Sequence, residues 1–315
     1  MNLRQLEYFV HVAELGSFSK AALVLGVAQP ALSRQVRALE TELRETLLLR
    51  DGRGVRLTDA GTRLFEHSVG ILQMVSRARE DIGANRDEPV GRIVVGLPPS
   101  MGRQLTVPLI DAFQRQLPRA RLAIVEGLSA HIIEWILTGR VDLGLVHNPE
   151  AVPALEIAPL LDEPLCLVQA ARPRRSRAQR GPLPMRELPG FPLIVPDRSH
   201  AIRKLVETQA MRAGIELDIA WEVSSVPSIV DLVCAGYGNA VLSAGAVAAS
   251  GRAAELAVRP LVEPQLSSVL CLAMSAQKRP TPLARHVGGL LRELVAALPM
   301  PRLPMPRPTM PDRHS

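Results

Sequence analysis

The 315-residue sequence predicts a multidomain α+β chain: an N-terminal winged helix-turn-helix, a long helix, then an α/β portion. Three observations carry this. Residues 21–37 (AALVLGVAQPALSRQVR) read as two short helices about a turn at Gly26. Asp51-Gly52 sits between apolar runs, which is a hairpin pattern. From Arg92 onward, β-rich runs alternate with helical segments.

Residues 3–15 form the first expected helix, because Leu3, Leu6, Phe9, Val10 and Ala13 make one apolar stripe at helical spacing. Gly16 and Ser17 end it, and Ser17 or Ser19 can cap the next helix. Ala21, Ala22 and Leu25 give the second helix a small, flat apolar side. The third runs to about Leu43, with Leu32, Val36 and Leu39 facing the core and Gln29, Ser33, Arg34 and Arg37 facing outward. The second helix of a helix-turn-helix enters the DNA major groove, where Arg and Gln form bidentate bonds to guanine and adenine. A helical hairpin with a solvated polar face is the alternative.

The run LLLRDGRGVR (residues 47–56) then makes a wing, with Arg50, Arg53 and Arg56 within reach of phosphates or the minor groove. Thr58-Asp59 is a helix start, a capping Thr followed by an acid in the first turn. Beyond it, Leu64, Ile71, Leu72, Val75, Ala78 and Ile82 line one apolar seam, with no proline before about Arg86. A helix of roughly 28 residues would be ~40 Å long. That is too long to bury its seam against the N-terminal head alone, so pairing with the same helix of a second subunit is expected. Two heads would then meet two half-sites ~34 Å apart.

Residues 87–91 (DEPVG) mark a boundary. Strands are expected at 92–97, 121–126, 141–146, 164–170, 191–195, 217–223, 239–243 and 267–274, and helices at 105–117, 131–138, 201–213, 226–235 and 283–298. This alternation predicts a largely parallel sheet. Residues 172–184 begin with five arginines in nine positions and read as an exposed, solvated loop rather than a DNA contact. Residues 299–315 hold six prolines and read as a disordered tail.

Composition narrows the function. Apolar residues make up 47% of the chain, so overall disorder is excluded. No apolar run reaches the roughly 18 residues of a membrane helix, so no membrane partner is expected. No basic patch followed by an apolar core opens the chain, and the reading is cytoplasmic. Cys166, Cys234 and Cys271 lie far apart, match no metal spacing and read as reduced, mostly buried thiols. Neither metal nor cofactor is expected. The net charge of +6 suggests nucleic acid, yet residues 1–60 carry eight Lys/Arg against seven Asp/Glu. DNA recognition must therefore rest on where individual arginines sit. No nucleophile elbow or phosphate-binding Gly-rich loop occurs, and His147 and Cys166 are too isolated to pair, so no enzyme is expected. A small-molecule binder without DNA function would fit residues 91–298 alone; the N-terminal head argues against it.

The motifs LRQLEYF, GSFSKAA, VAQPALSRQVRALE and GRGVRLTDAG resemble the LysR-type transcriptional regulator family. GRIVVGL, LTGRVDLGLV and AGYGNAVLS extend the resemblance to about residue 298. Within the family, AQPALS, TLLLR and SHAIRKLVE resemble the nitrogen-assimilation-control subgroup. The resemblance implies a winged helix-turn-helix in 1–58, a linker or dimerisation helix in 59–88, and an effector-binding regulatory domain in 91–298. That domain would be two α/β lobes like a periplasmic binding protein, lobe I being 91–162 and 268–298 and lobe II 163–267. The chain would cross between lobes near 161–170 and 267–273. The implied partners are double-stranded promoter DNA, a small-molecule effector, a second copy or three further copies, and RNA polymerase for an activator.

The family's DNA motif carries over onto Gln29, Pro30, Ser33, Arg34 and Arg37, with Arg53 and Arg56 on the wing. Two positions depart from it. Ala28 stands where Ser often caps the recognition helix, a loss of typically about 1 kcal/mol that Pro30 in the first turn partly offsets. Arg44 stands where Gly usually ends that helix. The effector would meet strand ends and helix starts, where free N–H groups favour anions. By position these are Pro98, Ser100 and Met101; Gly127 and Ser129; His147 and Asn148; and, across the cleft, Ser199, His200, Ser225 and Ser243. Each polar side chain among them also fits a helix cap or a loop tie. Pro98-Pro99 removes a backbone donor at each position.

Overall fold

A computed structural model describes residues 1–51, 54–83, 89–171, 181–277 and 279–299. The head consists of α1 (Leu3–Leu15), α2 (Phe18–Leu25), α3 (Gln29–Leu43) and the antiparallel wing β1 (Leu48–Asp51) and β2 (Gly54–Leu57). Asn2 and Gln5 form a reciprocal capping box at α1, each backbone N–H reaching the other side chain at 2.9 Å. Ser17, rather than Ser19, caps α2 by accepting from Lys20 N. Phe9, Ala21, Leu32, Val36 and Leu39 are fully buried and hold the three helices together. The wing is tied to the end of α1: Val55 N donates to Gly16 O at 3.0 Å. A Cβ on Gly54 would stand 2.8 Å from that same oxygen, so only glycine fits there.

Helix α4 (Asp59–Gly83) starts on Thr58, whose Oγ1 accepts from Gly61 N at 2.9 Å. The seam read from the sequence is partly taken within the chain. Leu64, Phe65, Val69, Ile71 and Leu72 pack on the head core. Further along, Gly70 lies against Thr138, and Gln73, with its amide turned to suit both groups, donates to Gly139 O and Arg140 O at 2.9 and 2.7 Å. Residues 138–140 thus hold α4 beyond the reach of the head. Ala78 is exposed, and the side chain of Ile82 and residues 84–88 fall outside the described residues.

The remainder runs β3 (Gly91–Leu97), α5 (Pro99–Gln116), β4 (Ala120–Glu126), α6 (Ser129–Leu137), β5 (Leu143–His147), β6 (Leu155–Ala170), β7 (Leu183–Pro184), β8 (Leu193–Val195), α7 (Ala201–Arg212), β9 (Ile219–Glu222), α8 (Val226–Cys234), β10 (Ala240–Ser243), α9 (Ala244–Ala249), β11 (Leu256–Val262), β12 (Ser267–Ser275) and α10 (Pro282–Ala296). The main sheet has the order β4-β3-β5-β12-β6-β11-β7, with β10 also on β6. It is mixed, not largely parallel. β3 runs parallel to β4 and β5, but β12 is antiparallel to β5 and β6, and β10 and β11 are antiparallel to β6. The cause is β6, a single strand shared between the lobes. The first part of β6, Leu155 to Pro164, pairs with β12; the rest, Leu165 to Ala170, pairs with β10 and β11. The return passage lies between Val262 and Ser267, just ahead of the expected 267–273, and Leu165 N meets Leu266 O at 2.7 Å where the two passages touch.

Each lobe has its own core. Leu97, Leu105, Leu143, Leu270 and Val287 centre the first. In the second, β6 divides its side chains between two faces: Leu165 and Leu167 join Leu193 and Val206, while Val168 joins Ile229 and Leu242. The expected elements sit close to the observed ones, but α5 begins at Pro99, not Leu105. The first half of β6, strand β11 and helix α9 were not expected. Pro159, Pro164 and Pro260 interrupt the strand patterns, and the six-residue AGAVAA of α9 carries no polar face. Among the described residues, no helix is long and apolar enough to cross a membrane.

Candidate functional site

Two sites emerge. The first is the exposed face of α3. Leu32, Val36 and Leu39 are 0% exposed on its inner side. That orientation puts Gln29, Pro30, Arg34 and Arg37 in solvent, with Ser33 half-buried at the edge of the same face. Ala28 sits at the N-cap with no side-chain cap bond. Arg44 takes the left-handed conformation, φ 55°, that a glycine would adopt freely, and its N–H caps Glu40 O and Thr41 O.

The wing lies beside this face. Arg56 is exposed on β2, opposite Leu49, while Arg53 lies outside the described residues. Arg50, the third wing arginine expected within reach of phosphates or the minor groove, is exposed; its guanidinium covers the Phe18 ring at 4.1 Å and Nη2 reaches Ser33 Oγ at 3.4 Å. The exposed face of α3 and the wing beside it thus carry a few placed cations on a near-neutral head.

The second site is a cavity of about 380 Å³ between the lobes. Of the positions read from the sequence, Pro98, Ser100, Ser129, His147, His200, Ser225 and Ser243 line it. Four others do not. Met101 is 1% exposed in the first lobe's core. Gly127 is filled by Trp135, whose ring would stand 2.6 Å from a Cβ there. Asn148 ties β12: its Oδ1 accepts from Val269 N at 2.8 Å, and its Nδ2 donates to Ser268 Oγ at 3.3 Å. Ser199 is held by Asp197, to which both its N–H and its hydroxyl donate. Helix-start and strand-end positions thus give the right neighbourhood but not which way each side chain turns.

Residues the sequence reading missed include Arg103, Glu126, Leu128, Ser224, Val230, Ala246 and Ser250. Arg103 lies one turn into α5 and Val230 one turn into α8, so helical spacing from Pro99 and Val226 would have found them.

Ser268 Oγ accepts from Asn148 Nδ2 at 3.3 Å and is hydrogen-bonded to His147 Nδ1 at 3.1 Å. His147 also anchors helix α6, its backbone N–H donating to Ser129 Oγ at 2.9 Å. His200 caps α7: its Nδ1 accepts from Ile202 N at 3.3 Å, which leaves Nε2 protonated. Burial, helped by His200, lowers the His147 pKa to about 4. Burial also lowers that of His200, against the pull of Asp197. Both rings are neutral near pH 7.

Beneath the cavity, buried Glu163 accepts from Ser243 and from Gly245 N, while its Oε2 has no partner. Burial raises its pKa and these bonds oppose the rise. Burial, then the nearby Glu163, push the Cys166 thiol up to about 12. All three cysteines are unpaired. Among the described residues, no group of His, Cys, Asp and Glu could hold a metal ion.

Comparison with known proteins agrees with this two-part layout. Residues 3–62 match the bacterial regulatory helix-turn-helix protein, lysR family, and residues 86–296 match the LysR substrate binding domain. The nitrogen assimilation regulatory protein nac of Klebsiella aerogenes is 30% identical over 94% of this chain and 96% of its own. The DNA-binding transcriptional dual regulator OxyR of Escherichia coli is 31% identical over 84% of this chain and 86% of its own. Among solved structures, a full-length OxyR point variant from Pseudomonas aeruginosa superimposes with a TM-score of 0.67 at 26% identity, covering 94% of this chain and 95% of that one. Full-length CbnR complexed with its target DNA gives 0.53 at 26% identity, covering 94% and 100%. The chain belongs to the LysR-type family of transcriptional regulators, with a DNA-binding helix-turn-helix followed by an effector-binding domain of periplasmic-binding-protein type.

Proposed function

We propose that this regulator reads operator DNA in the cytoplasm through Gln29, Pro30, Ser33, Arg34 and Arg37, with Arg53 and Arg56 of the wing beside them. Two copies, or two pairs, place two such faces on one operator. A small molecule between the lobes alters their spacing, and an activating form engages RNA polymerase. The observation that supports the DNA reading is the polarity of α3, with Leu32, Val36 and Leu39 sealed and Gln29, Arg34 and Arg37 open. That CbnR was solved on its target DNA favours the same docking here.

Hydroxyl-radical footprinting of the full-length protein on the DNA upstream of its own gene tests this. Two protected half-sites about one helical turn, or a multiple of it, apart are expected. A single protected unit, or uniform protection of any sequence, would overturn the paired-reader account.

A further inference from the structure

We propose that the interlobe cavity takes a neutral, largely apolar ligand bearing a carbonyl-type acceptor, and that it discriminates against carboxylates and other small anions. The inference rests on the reading of this cavity as the effector site. Five helices, α5 to α9, begin at its wall. A helix start ordinarily attracts an anion through its free N–H groups. At three of these starts the chain itself has already answered some of those groups.

At α5, Pro98 and Pro99 carry no N–H, and Met101 N and Gly102 N are bonded to Pro98 O at 2.9 and 2.8 Å. The Glu126 carboxylate lies against the same turn, so that a Cβ on Gly102 would stand 2.2 Å from its Oε1. At α7, His200 Nδ1 takes Ile202 N. At α9, Glu163 takes Gly245 N and Ser243 Oγ takes Ala246 N.

The charged side chains on the wall are Arg103 and Glu126, one of each sign and both exposed. An arriving carboxylate would meet one solvated guanidinium against the Glu126 carboxylate. Like-charge juxtaposition of this kind rejects one ligand class without weakening another. A neutral carbonyl meets no such opposition. The starts of α6 and α8, which have no side-chain cap, offer it N–H donors, and the His200 Nε2–H adds another. Pro99, Leu128, Val226 and Val230 give the wall apolar surface between its serines.

The test uses the full-length protein with isotope-labelled histidine, titrated with matched pairs: benzoate against benzamide, and hexanoate against hexanamide. The amides are expected to shift the His147 and His200 ring signals, with the acids weaker by roughly tenfold or more, and Glu126→Gln should narrow that gap. Acids that bind as well as their amides would overturn this inference while leaving the effector reading intact. An undiminished gap in E126Q would overturn the role given to Glu126. If no probe shifts either histidine, both the inference and the effector reading beneath it fall.

Discussion

The Arg50 guanidinium lies 4.1 Å above the Phe18 ring, and its Nη2 points at Ser33 Oγ from 3.4 Å. One wing residue therefore touches the first residue of α2 and the edge of the reading face of α3. It braces the wing against the recognition helix, alongside the bond from Val55 N to Gly16 O. Arg50→Ala should destabilise the head by about 0.5–1 kcal/mol, the worth of an exposed cation–π contact. It should also weaken specific DNA binding by misplacing the wing. Thermal melts and DNA titration of the variant check both; an unaltered melt and affinity would show that the contact does not organise the wing.

Arg44→Gly should stabilise the protein. Arg44 holds φ 55°, where a side chain costs roughly 1 kcal/mol that glycine avoids. The cap bonds to Glu40 O and Thr41 O are made by its backbone and survive the change. A denaturation midpoint that fails to rise would contradict this account of the α3 terminus.

Gly70→Ala should destabilise, although alanine ordinarily favours a helix interior by ~1 kcal/mol. A Cβ there would stand 2.1 Å from the backbone oxygen of Thr138, and backbone cannot swing away as a side chain does. The expected loss is about 1–3 kcal/mol, with faster hydrogen exchange at residues 138–141 as the turn separates from α4. A stabilised variant would mean that α4 does not dock there.

Acidification should weaken the fold through His147. Its pKa is lowered from 6.5 to about 4 in the folded state, so between those values the unfolded chain binds more protons. The stability this group contributes is complete above its unfolded pKa and is lost as pH falls through that window. At most about 3 kcal/mol is involved. The melting temperature should drop from pH 7 to pH 5, and His147→Gln should flatten that slope. An equal slope in the variant would place the titrating group elsewhere.

The head was legible because short-range rules govern it. The Leu32/Val36/Leu39 spacing, Gly26 and the Asp51-Gly52 hairpin signal each act within a few residues. The capping box of Asn2 and Gln5 was equally local and was overlooked. The sheet was less legible. That β6 serves both lobes follows from long-range pairing with β10, β11 and β12, which no local pattern encodes. The cavity fell between these cases. Ser129, His147 and Ser243 reach it because helix starts converge there, whereas Met101 and Asn148, equally near strand ends, turn toward the core and toward β12. The docking of α4 on residues 138–140 depends on glycine at position 70, whose meaning appears only once Thr138 lies beside it.

The central claim is that α3 reads bases through a few placed side chains. The direct measurement is a titration of wild type and Arg34→Ala against operator DNA and against random DNA of equal length at one fixed salt concentration. Arg34 is exposed on the reading face, so its loss should leave the melt unchanged. Specific affinity should fall by ~1–3 kcal/mol, with a much smaller change on random DNA. Equal losses on both DNAs would make Arg34 a phosphate contact, and unchanged specific affinity would contradict the assignment of this face.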